Sequence, residues 1–259
     1  MSTDAIHFLN GAPSGEAAER GLHPGLCQWF RAAVGAPTPA QRHTWPAILS
    51  KSNLLLSAPT GSGKTLAAFL PILSDLLLMP SSGLQALYVA PLKALCRDAF
   101  VNLRRIRRSL EERGILGDAP LRIGLRTGET SQRVRRRHRD EPPTILLTTP
   151  ESLEQMLAHE PMHDVLRSLR WVIIDEIHAL VGNKRGADLA LSLERVQARC
   201  PTPVQRIGLS ATCAPLDAVA RFLVGVGRAC AIAQVVDGTP KQFAIEPLFD
   251  AGSSEFPSS

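Results

Sequence analysis

The sequence predicts an α/β domain in which a mainly parallel, doubly wound sheet carries helices on both faces. From about residue 20 to residue 225, short apolar runs alternate with longer helical segments. The apolar runs lack the polar alternation of a half-exposed strand, as expected for strands that are buried on both faces. A chain of 259 residues that is 44% hydrophobic is large enough to enclose such a sheet.

Six strands and five helices follow from the pattern. The strands are predicted at residues 53–57, 85–90, 121–125, 144–148, 171–174 and 204–209. The helices are predicted at residues 64–78, 92–113, 151–159, 187–199 and 216–224. The order of the strands in the sheet does not follow from the pattern.

The two ends of the chain differ from this pattern. Residues 1–20 are rich in glycine, alanine and serine, and they are expected to form a flexible arm. Residues 21–228 are expected to form the folded domain. Residues 229–259 are interpreted as a linker or tail with one candidate strand at residues 231–235.

The net charge of +5 is carried mainly by arginine, since 24 of the 29 basic residues are Arg and five are Lys. Guanidinium groups favour bidentate contacts with phosphate, which suggests a nucleic-acid partner. A genome whose base composition favours arginine codons explains the same bias, and both interpretations remain open.

The protein is expected to be cytoplasmic. The five cysteines are scattered without a Cys-x-x-Cys pair, which is typical of reduced thiols rather than a disulfide framework or a zinc site. No apolar run is long enough for a membrane span, and the first residues lack the layout of a signal peptide. We therefore expect no membrane partner.

Residues 58–65 have the sequence Ala-Pro-Thr-Gly-Ser-Gly-Lys-Thr and lie between a predicted strand and a predicted helix. This context is the one that a phosphate-binding loop requires. Glycines let successive N–H groups point at phosphate oxygens, and the helix N-terminus adds partial positive charge. The alternative is a glycine turn that caps a helix. The candidate ATP-binding residues here are Ala58, Thr60, Gly61, Ser62, Gly63, Lys64 and Thr65.

An apolar strand at residues 171–174 ends in two adjacent carboxylates, Asp175 and Glu176. Ligands bind beyond the carboxyl ends of parallel strands. Asp175 and the Thr65 hydroxyl are expected to hold Mg²⁺, and Lys64 is expected to reach the β- and γ-phosphates of ATP. Glu176 is the candidate to orient and deprotonate an attacking water.

With these motifs the chain resembles the DExH branch of superfamily 2 helicases, whose ATP-binding domains have a RecA-like fold. Residues 35–41 resemble the Q motif, which implies that the Gln41 amide reads the adenine edge through its N6 and N7 atoms. Residues 210–212, Ser-Ala-Thr, resemble motif III, which implies that Ser210 and Thr212 couple the nucleotide pocket to the nucleic acid. His178 is expected to join that coupling.

The resemblance also implies a nucleic-acid track. Residues 91–95 resemble motif Ia, residues 126–128 motif Ic and residues 148–152 motif Ib. The candidate nucleic-acid-binding residues carried over from these motifs are Lys93, Thr127, Gly128, Thr149 and Pro150. The implied partner is single-stranded or duplex DNA, or an RNA–DNA hybrid.

Several longer strings narrow the resemblance to the large helicase-related family of bacterial and archaeal DNA helicases, over about residues 22–250. Only 47 residues follow Thr212, too few for the second RecA-like domain that carries the family's arginine fingers. Because such fingers increase turnover by about 10³–10⁵, we expect the chain to be an incomplete motor that needs that domain in cis or in trans. The alternative is a stand-alone ATP- and nucleic-acid-binding module, and an unrelated P-loop kinase does not explain the ordered motifs.

Three weaker patterns have ordinary explanations. The six arginines of residues 126–139 fit either a phosphate-contacting loop and helix or a solvated basic helix. The arginines of residues 97–108 alternate with acidic residues and indicate an exposed helix face. The string His159-Glu-Pro-Met-His163 fits a zinc-protease pattern, but Pro161 is expected to interrupt the helix that this pattern needs.

Overall fold

The computed structural model describes residues 5–117, 121–211 and 214–236. In chain order, the strands of the described residues are β1 (Ile6–Phe8), β2 (Leu54–Ser57), β3 (Ala86–Val89), β4 (Ile123–Arg126), β5 (Ile145–Thr148), β6 (Trp171–Ile174), β7 (Gln205–Ser210) and β8 (Cys230–Gln234). The α-helices are α1 (Gly15–Glu19), α2 (Pro24–Ala33), α3 (Pro39–Leu49), α4 (Lys64–Leu78), α5 (Lys93–Glu112), α6 (Gln132–Asp140), α7 (Pro150–Leu157), α8 (Pro161–Leu166), α9 (Lys184–Gln197) and α10 (Leu216–Val224).

The strands form one sheet in the order β1-β8-β2-β7-β6-β3-β5-β4, and every pair of neighbours is parallel. The carboxyl ends of all these strands therefore meet at one edge. β2, which precedes the predicted phosphate loop, and β6, which precedes Asp175, both pair with β7. This order brings the two motifs to opposite sides of one strand.

Two apolar layers cover the sheet, one on each face. In β2, Leu54 and Leu56 join the layer under α2, α3, α4 and α5, whereas Leu55 joins the layer under α7, α8, α9 and α10. β3 and β6 alternate in the same way. Because successive strand residues point to opposite faces, a strand covered on both sides is apolar throughout. The predicted doubly wound α/β fold is confirmed.

The boundaries of most predicted elements lie within one or two residues of the observed ones. Helices α4 and α10 and strand β6 coincide with their predictions, while β4 begins two residues later and α9 begins three residues earlier. The early start of α9 has a local cause: the Asn183 side chain accepts a hydrogen bond from Gly186 N, 3.0 Å away, and so caps the helix.

The predicted arm at the N-terminus is wrong over residues 5–20. β1 forms the edge of the sheet, with Ile6 aligned to Cys230, and Ala18 of α1 lies in the core. The expected domain end at residue 228 is also too early, because β8 lies between β1 and β2. β1 and β8 are short and far apart in sequence, and each is held in the sheet by pairing with a distant strand. A local sequence pattern does not reveal such pairing. Residues 237–259, the remainder of the predicted tail, lie outside the described residues.

The predicted break in the His159–His163 string is confirmed, since α7 ends at Leu157 and α8 begins at Pro161. Within the part of the chain that the structure describes, no group of three or more His, Cys, Asp or Glu residues could hold a metal ion. None of the helices among the described residues is both long and apolar enough to cross a membrane.

Gly186 provides a test of the helix packing on the second face. A Cβ atom at this position would lie 1.8 Å from the Leu180 carbonyl oxygen, and backbone cannot move aside as a side chain can. We expect Gly186→Ala to lower the free energy of unfolding by about 3 kcal/mol or more. Urea denaturation measures the change.

Gly15→Ala is the matched control, because its added Cβ would lie an ordinary 3.6 Å from Pro37 Cδ. Its effect is expected to stay within about 1 kcal/mol. Equal stability of the two variants would contradict the close approach of α9 to Leu180.

Candidate functional site

The predicted phosphate loop, residues 58–65, leaves the carboxyl end of β2 and enters α4. Gly61 and Gly63 have φ values of 80° and 81°, in the left-handed region that side chains other than glycine rarely adopt. Gly63 is the N-cap of α4, so the free N–H groups of the first helical turn face the loop. The loop therefore has the backbone shape and the polarity of an anion-binding site.

Lys64 is held inside this loop. Its Nζ donates hydrogen bonds to the carbonyl oxygens of Ala58 at 2.8 Å and Pro59 at 3.0 Å, and only 8% of the residue is exposed. The ammonium group thus occupies the centre of the loop through contacts that a phosphate can replace. Thr65 follows it in the first turn of α4.

Gln41 lies against the phosphate loop and supports it. Its Oε1 accepts a hydrogen bond from Thr38 N at 2.9 Å in the capping box of α3. A Cβ atom on Gly63 would lie 2.8 Å from Gln41 Nε2, and the Thr38 hydroxyl donates to Ser62 O at 2.9 Å. Gln41 is only 1% exposed. The capping box uses one lone pair of Oε1, so the predicted contact with an adenine edge would use the other lone pair together with Nε2.

The two carboxylates after β6 are fixed differently. Asp175 is buried, its Oδ2 accepts a hydrogen bond from the Tyr88 hydroxyl, and its Oδ1 accepts one from Glu176 N at 2.9 Å. Glu176 has φ 48° and ψ 42°, a left-handed conformation that is strained for a residue other than glycine. Two hydrogen bonds thus anchor the Asp175 carboxylate, while Glu176 lines the cavity beside it.

Tyr88 is a site residue that the motifs did not reveal. Burial first, and then the Asp175 charge, raise the pKa of its hydroxyl, so the group remains a proton donor. A signal exists in the sequence, since this is the chain's single tyrosine and it lies within an apolar strand. Its register with Ile173 of β6 places it on the same face as Asp175, two residues further along. The contact between Tyr88 and Asp175 depends on the pairing of β3 with β6, which the sequence motifs do not contain.

His178 connects the acidic pair to β7. Its Nδ1 lies 3.3 Å from Glu176 Oε2 and 3.2 Å from Ser210 Oγ. Ser210 in turn continues to the phosphate loop, because its carbonyl oxygen accepts a hydrogen bond from Ala58 N at 3.1 Å. The predicted coupling residues His178 and Ser210 are therefore brought together. Thr212, the third, lies outside the described residues.

A cavity of about 670 Å³ opens between the phosphate loop and the acidic pair. Its polar end contains Lys64, Thr65, Asp175 and Glu176. The cavity continues into an apolar cleft between α2, α4 and α5 that is lined by Trp29, Val34, Leu66, Phe69, Leu95 and Ile106. Asn102, Arg105 and Ser109 of α5 add polar groups to this cleft, so the space next to the predicted magnesium ligands is large and mostly apolar with a few polar groups, as in small-molecule sites.

The predicted nucleic-acid residues lie together at the other half of the same edge, where β3, β5 and β4 are neighbours. Lys93 and Gly128 are exposed, and a Cβ on Gly128 would lie 3.9 Å from Lys93 Nζ. The other three predicted residues, Thr127, Thr149 and Pro150, are buried. Thr149 caps α7, because its Oγ1 accepts from Ser152 N at 3.4 Å. These three shape the loops, and only two predicted residues present surface.

Two further charged residues organise this surface. Glu129 accepts hydrogen bonds from Lys93 at 3.0 Å and from Arg97 at 3.2 Å, and the bond from Lys93 lowers the pKa of its carboxyl. Arg185 of α9 donates to Glu151 Oε1 and to Pro91 O, both at 2.7 Å. Arg185 thereby joins the loop after β3 to the first turn of α7. Neither role follows from sequence spacing.

The comparisons with known proteins agree with this geometry. Residues 38–219 match the family described as DEAD/DEAH box helicase. The chain is 50% identical over 205 residues to "Lhr helicase/probable uracil glycosylase" of Mycolicibacterium smegmatis, covering 76% of this chain and 14% of that protein. It is 43% identical over 225 residues to ATP-dependent helicase Lhr-Core of Methanothermobacter thermautotrophicus, covering 83% of this chain and 26% of the relative.

Among solved structures, helicase Lhr of Mycobacterium smegmatis bound to ssDNA and AMP-PNP is similar, with a TM-score of 0.78 and 45% identity. That match covers 84% of this chain and 28% of the solved one. The chain thus spans between about a seventh and about a quarter of the length of these curated relatives. The family match covers most of the chain and includes the phosphate loop, the acidic pair and Ser210. The chain belongs to the DEAD/DEAH box helicase family.

Proposed function

We propose that the chain is the ATP-binding motor domain of an ATP-dependent DNA helicase, incomplete without a second RecA-like domain. The observation that carries the proposal is the continuity of the site across β7. Ala58 N is bonded to Ser210 O, and Ser210 Oγ contacts the His178 ring that lies beside Glu176. A change at the phosphate loop can therefore reach the acidic pair and β7 through direct contacts.

Each side chain has a defined task in ATP hydrolysis. The loop amides and Lys64 bind phosphate oxygens, and the ammonium exchanges its two carbonyl partners for them. Glu176 orients the attacking water and accepts its proton. The buried Asp175 carboxylate and the Thr65 hydroxyl fit Mg²⁺, which binds through one or two protein oxygens together with substrate phosphates. When bound, Mg²⁺ neutralises the charge on the phosphates.

The proposed nucleic acid lies across Lys93 and Gly128. The relative bound to ssDNA supports DNA as the partner. The carboxyl edge of the sheet then binds two ligands. The nucleotide lies beyond the ends of β2 and β6, and the nucleic acid lies beyond the ends of β3, β5 and β4. The second domain supplies arginine fingers in this proposal, in cis or in trans. A cytoplasmic location fits the free thiols of Cys27, Cys96, Cys200 and Cys230.

ATP binding and turnover by the 259-residue chain test the proposal directly. We expect MgATP to bind, and turnover to stay below about 1 s⁻¹ with or without single-stranded DNA, because in this proposal the arginine fingers come from the second RecA-like domain. Lys64→Ala is expected to abolish binding, since the loop loses its cation. Glu176→Gln is expected to bind ATP as tightly as the parent chain and to lose the residual turnover.

The outcomes separate the alternatives. DNA-stimulated turnover above about 1 s⁻¹ that is lost in Glu176→Gln would show that the chain completes its own site. ATP binding by a chain to which single-stranded DNA does not bind would contradict the nucleic-acid part of the proposal and favour an ATP-binding module of another kind. ATP binding that survives Lys64→Ala would contradict the role of the phosphate loop.

Tyr88→Phe tests the positioning of Asp175. Removing the hydroxyl takes away the donor to Asp175 Oδ2, and loss of such a supporting hydrogen bond typically costs 10–100-fold in metal affinity. We expect the Mg²⁺ concentration for half-maximal enhancement of ATP binding to rise at least about tenfold. ATP binding without Mg²⁺ should not change, because the phosphate loop is intact. An unchanged Mg²⁺ requirement would contradict this role.

Glu129→Gln tests the nucleic-acid surface. Glu129 neutralises Lys93 and Arg97, so removing its charge frees two cations for phosphate. Affinity for single-stranded DNA is expected to rise about threefold or more at low salt. Fluorescence anisotropy measures it. Glu112→Gln is the control, because it removes the same charge at the far end of α5; equal effects would show that only net charge matters.

A further inference from the structure

Helix α6 (Gln132–Asp140) follows the Gly128 loop and has no buried residue. Five of its nine residues are arginines. A helix that is polar all round is stable only with side-chain pairing or with a partner.

On the side of α6 that faces the domain, side chains contact the loop of residues 127–131. Arg135 donates to Thr130 O at 2.9 Å and to Gly128 O at 3.1 Å. A Cβ on Gly124 of β4 would lie 3.1 Å from His138 Nε2. These contacts fix the helix in direct continuation of the exposed loop that carries Gly128.

The outer side of α6 presents Arg133, Arg136 and Arg137, which are three and four residues apart and so share one face. All three are exposed, and together with Gln132, Asp140 and Glu141 they line a surface depression of about 420 Å³. Within the described ranges, Arg133 and Arg136 have no hydrogen bond or ion pair. The Arg137 guanidinium approaches Glu141 at 3.8 Å, which is too long for a hydrogen bond.

The arginines of α5 are arranged differently. Arg107 pairs with Glu111 at 3.0 Å and Arg108 with Glu112 at 2.9 Å, one helical turn away. Such pairs neutralise an ordinary exposed helix. On the outer side of α6, Asp140 pairs with Arg139 at 2.8 Å and Glu141 lies 3.8 Å from Arg137. These two carboxylates leave Arg133 and Arg136 without an ion pair among the described residues, and neighbouring guanidinium groups of this kind bind phosphate.

We propose that Arg133, Arg136 and Arg137 bind the phosphodiester backbone of the nucleic-acid strand that crosses the Gly128 loop. The inference rests on the proposed function, and it extends the binding surface from the sheet edge down the outer side of α6. Continuity decides between nucleic acid and an acidic polypeptide. In this proposal, the nucleic-acid strand that contacts Gly128 continues along α6, and Arg135 holds α6 next to Gly128 by donating a hydrogen bond to the Gly128 carbonyl oxygen.

The test compares the 259-residue chain with the triple variant Arg133→Gln, Arg136→Gln, Arg137→Gln. The probe is a labelled single-stranded DNA of about 20 nucleotides, longer than the roughly 4–16 nucleotides that a single OB-fold domain covers. Affinity is measured by anisotropy at several salt concentrations. Loss of three phosphate contacts should lower the log–log salt slope by about 2, because each contributes about 0.7 for single strands. Affinity at 0.1 M salt should fall at least about tenfold.

The control is Arg104→Gln, Arg107→Gln, Arg108→Gln on α5, which changes net charge equally. It is expected to retain most of the slope. Equal slopes for the parent chain and the α6 variant, both binding DNA, would overturn this inference and leave the proposed function standing. Absence of DNA binding by the parent chain would overturn both. Preferential loss of polyglutamate binding by the α6 variant, with DNA binding retained, would replace nucleic acid by an acidic polypeptide.

Discussion

Parallel pairing of the strands is the constraint on which both sites depend. Parallel strands deliver all their carboxyl ends to one edge, and the order of this sheet places β7 between the strand of the phosphate loop and the strand of the acidic pair. Lys64 and Asp175 are far apart in sequence, and they line one cavity only because two non-consecutive strands flank a third. The other half of the edge remains open for a second ligand.

Hydrogen bonds convert this proximity into a connected site. Neighbouring groups hold the charged side chains of the proposed site: loop carbonyls hold Lys64, Tyr88 of β3 holds Asp175, and His178, two residues along the same turn, lies beside Glu176. Such supporting contacts fix the direction of a side chain before a ligand arrives, which reduces the cost of ordering on binding. The left-handed backbone of Glu176 serves the same end.

The abundant arginines divide into groups with different physical roles. Arg206 is 2% exposed and donates to Glu194 and to the carbonyl oxygens of Leu193, Leu223 and Val224, so it joins β7 to two helices. The pairs of α5 neutralise a surface, whereas Arg133 and Arg136 on the outer side of α6 have no ion pair among the described residues. The amino-acid composition counts all these arginines together and does not distinguish their roles. The difference lies in the carboxylates and carbonyls that tertiary contacts place beside each guanidinium.

The sequence by itself determined the fold class, most element boundaries and the identity of the phosphate loop and the acidic pair. These features are local, because strand and helix periodicity, glycine at positive φ and a lysine in the first helical turn are all set by neighbouring residues. Tertiary structure decided the strand order, the inclusion of β1 and β8, the Tyr88 contact and the burial of Thr127, Thr149 and Pro150. It also turned Gln41 toward the phosphate loop. Each of these depends on a contact between segments distant in sequence, whose energy comes from pairing and packing that no single segment contains.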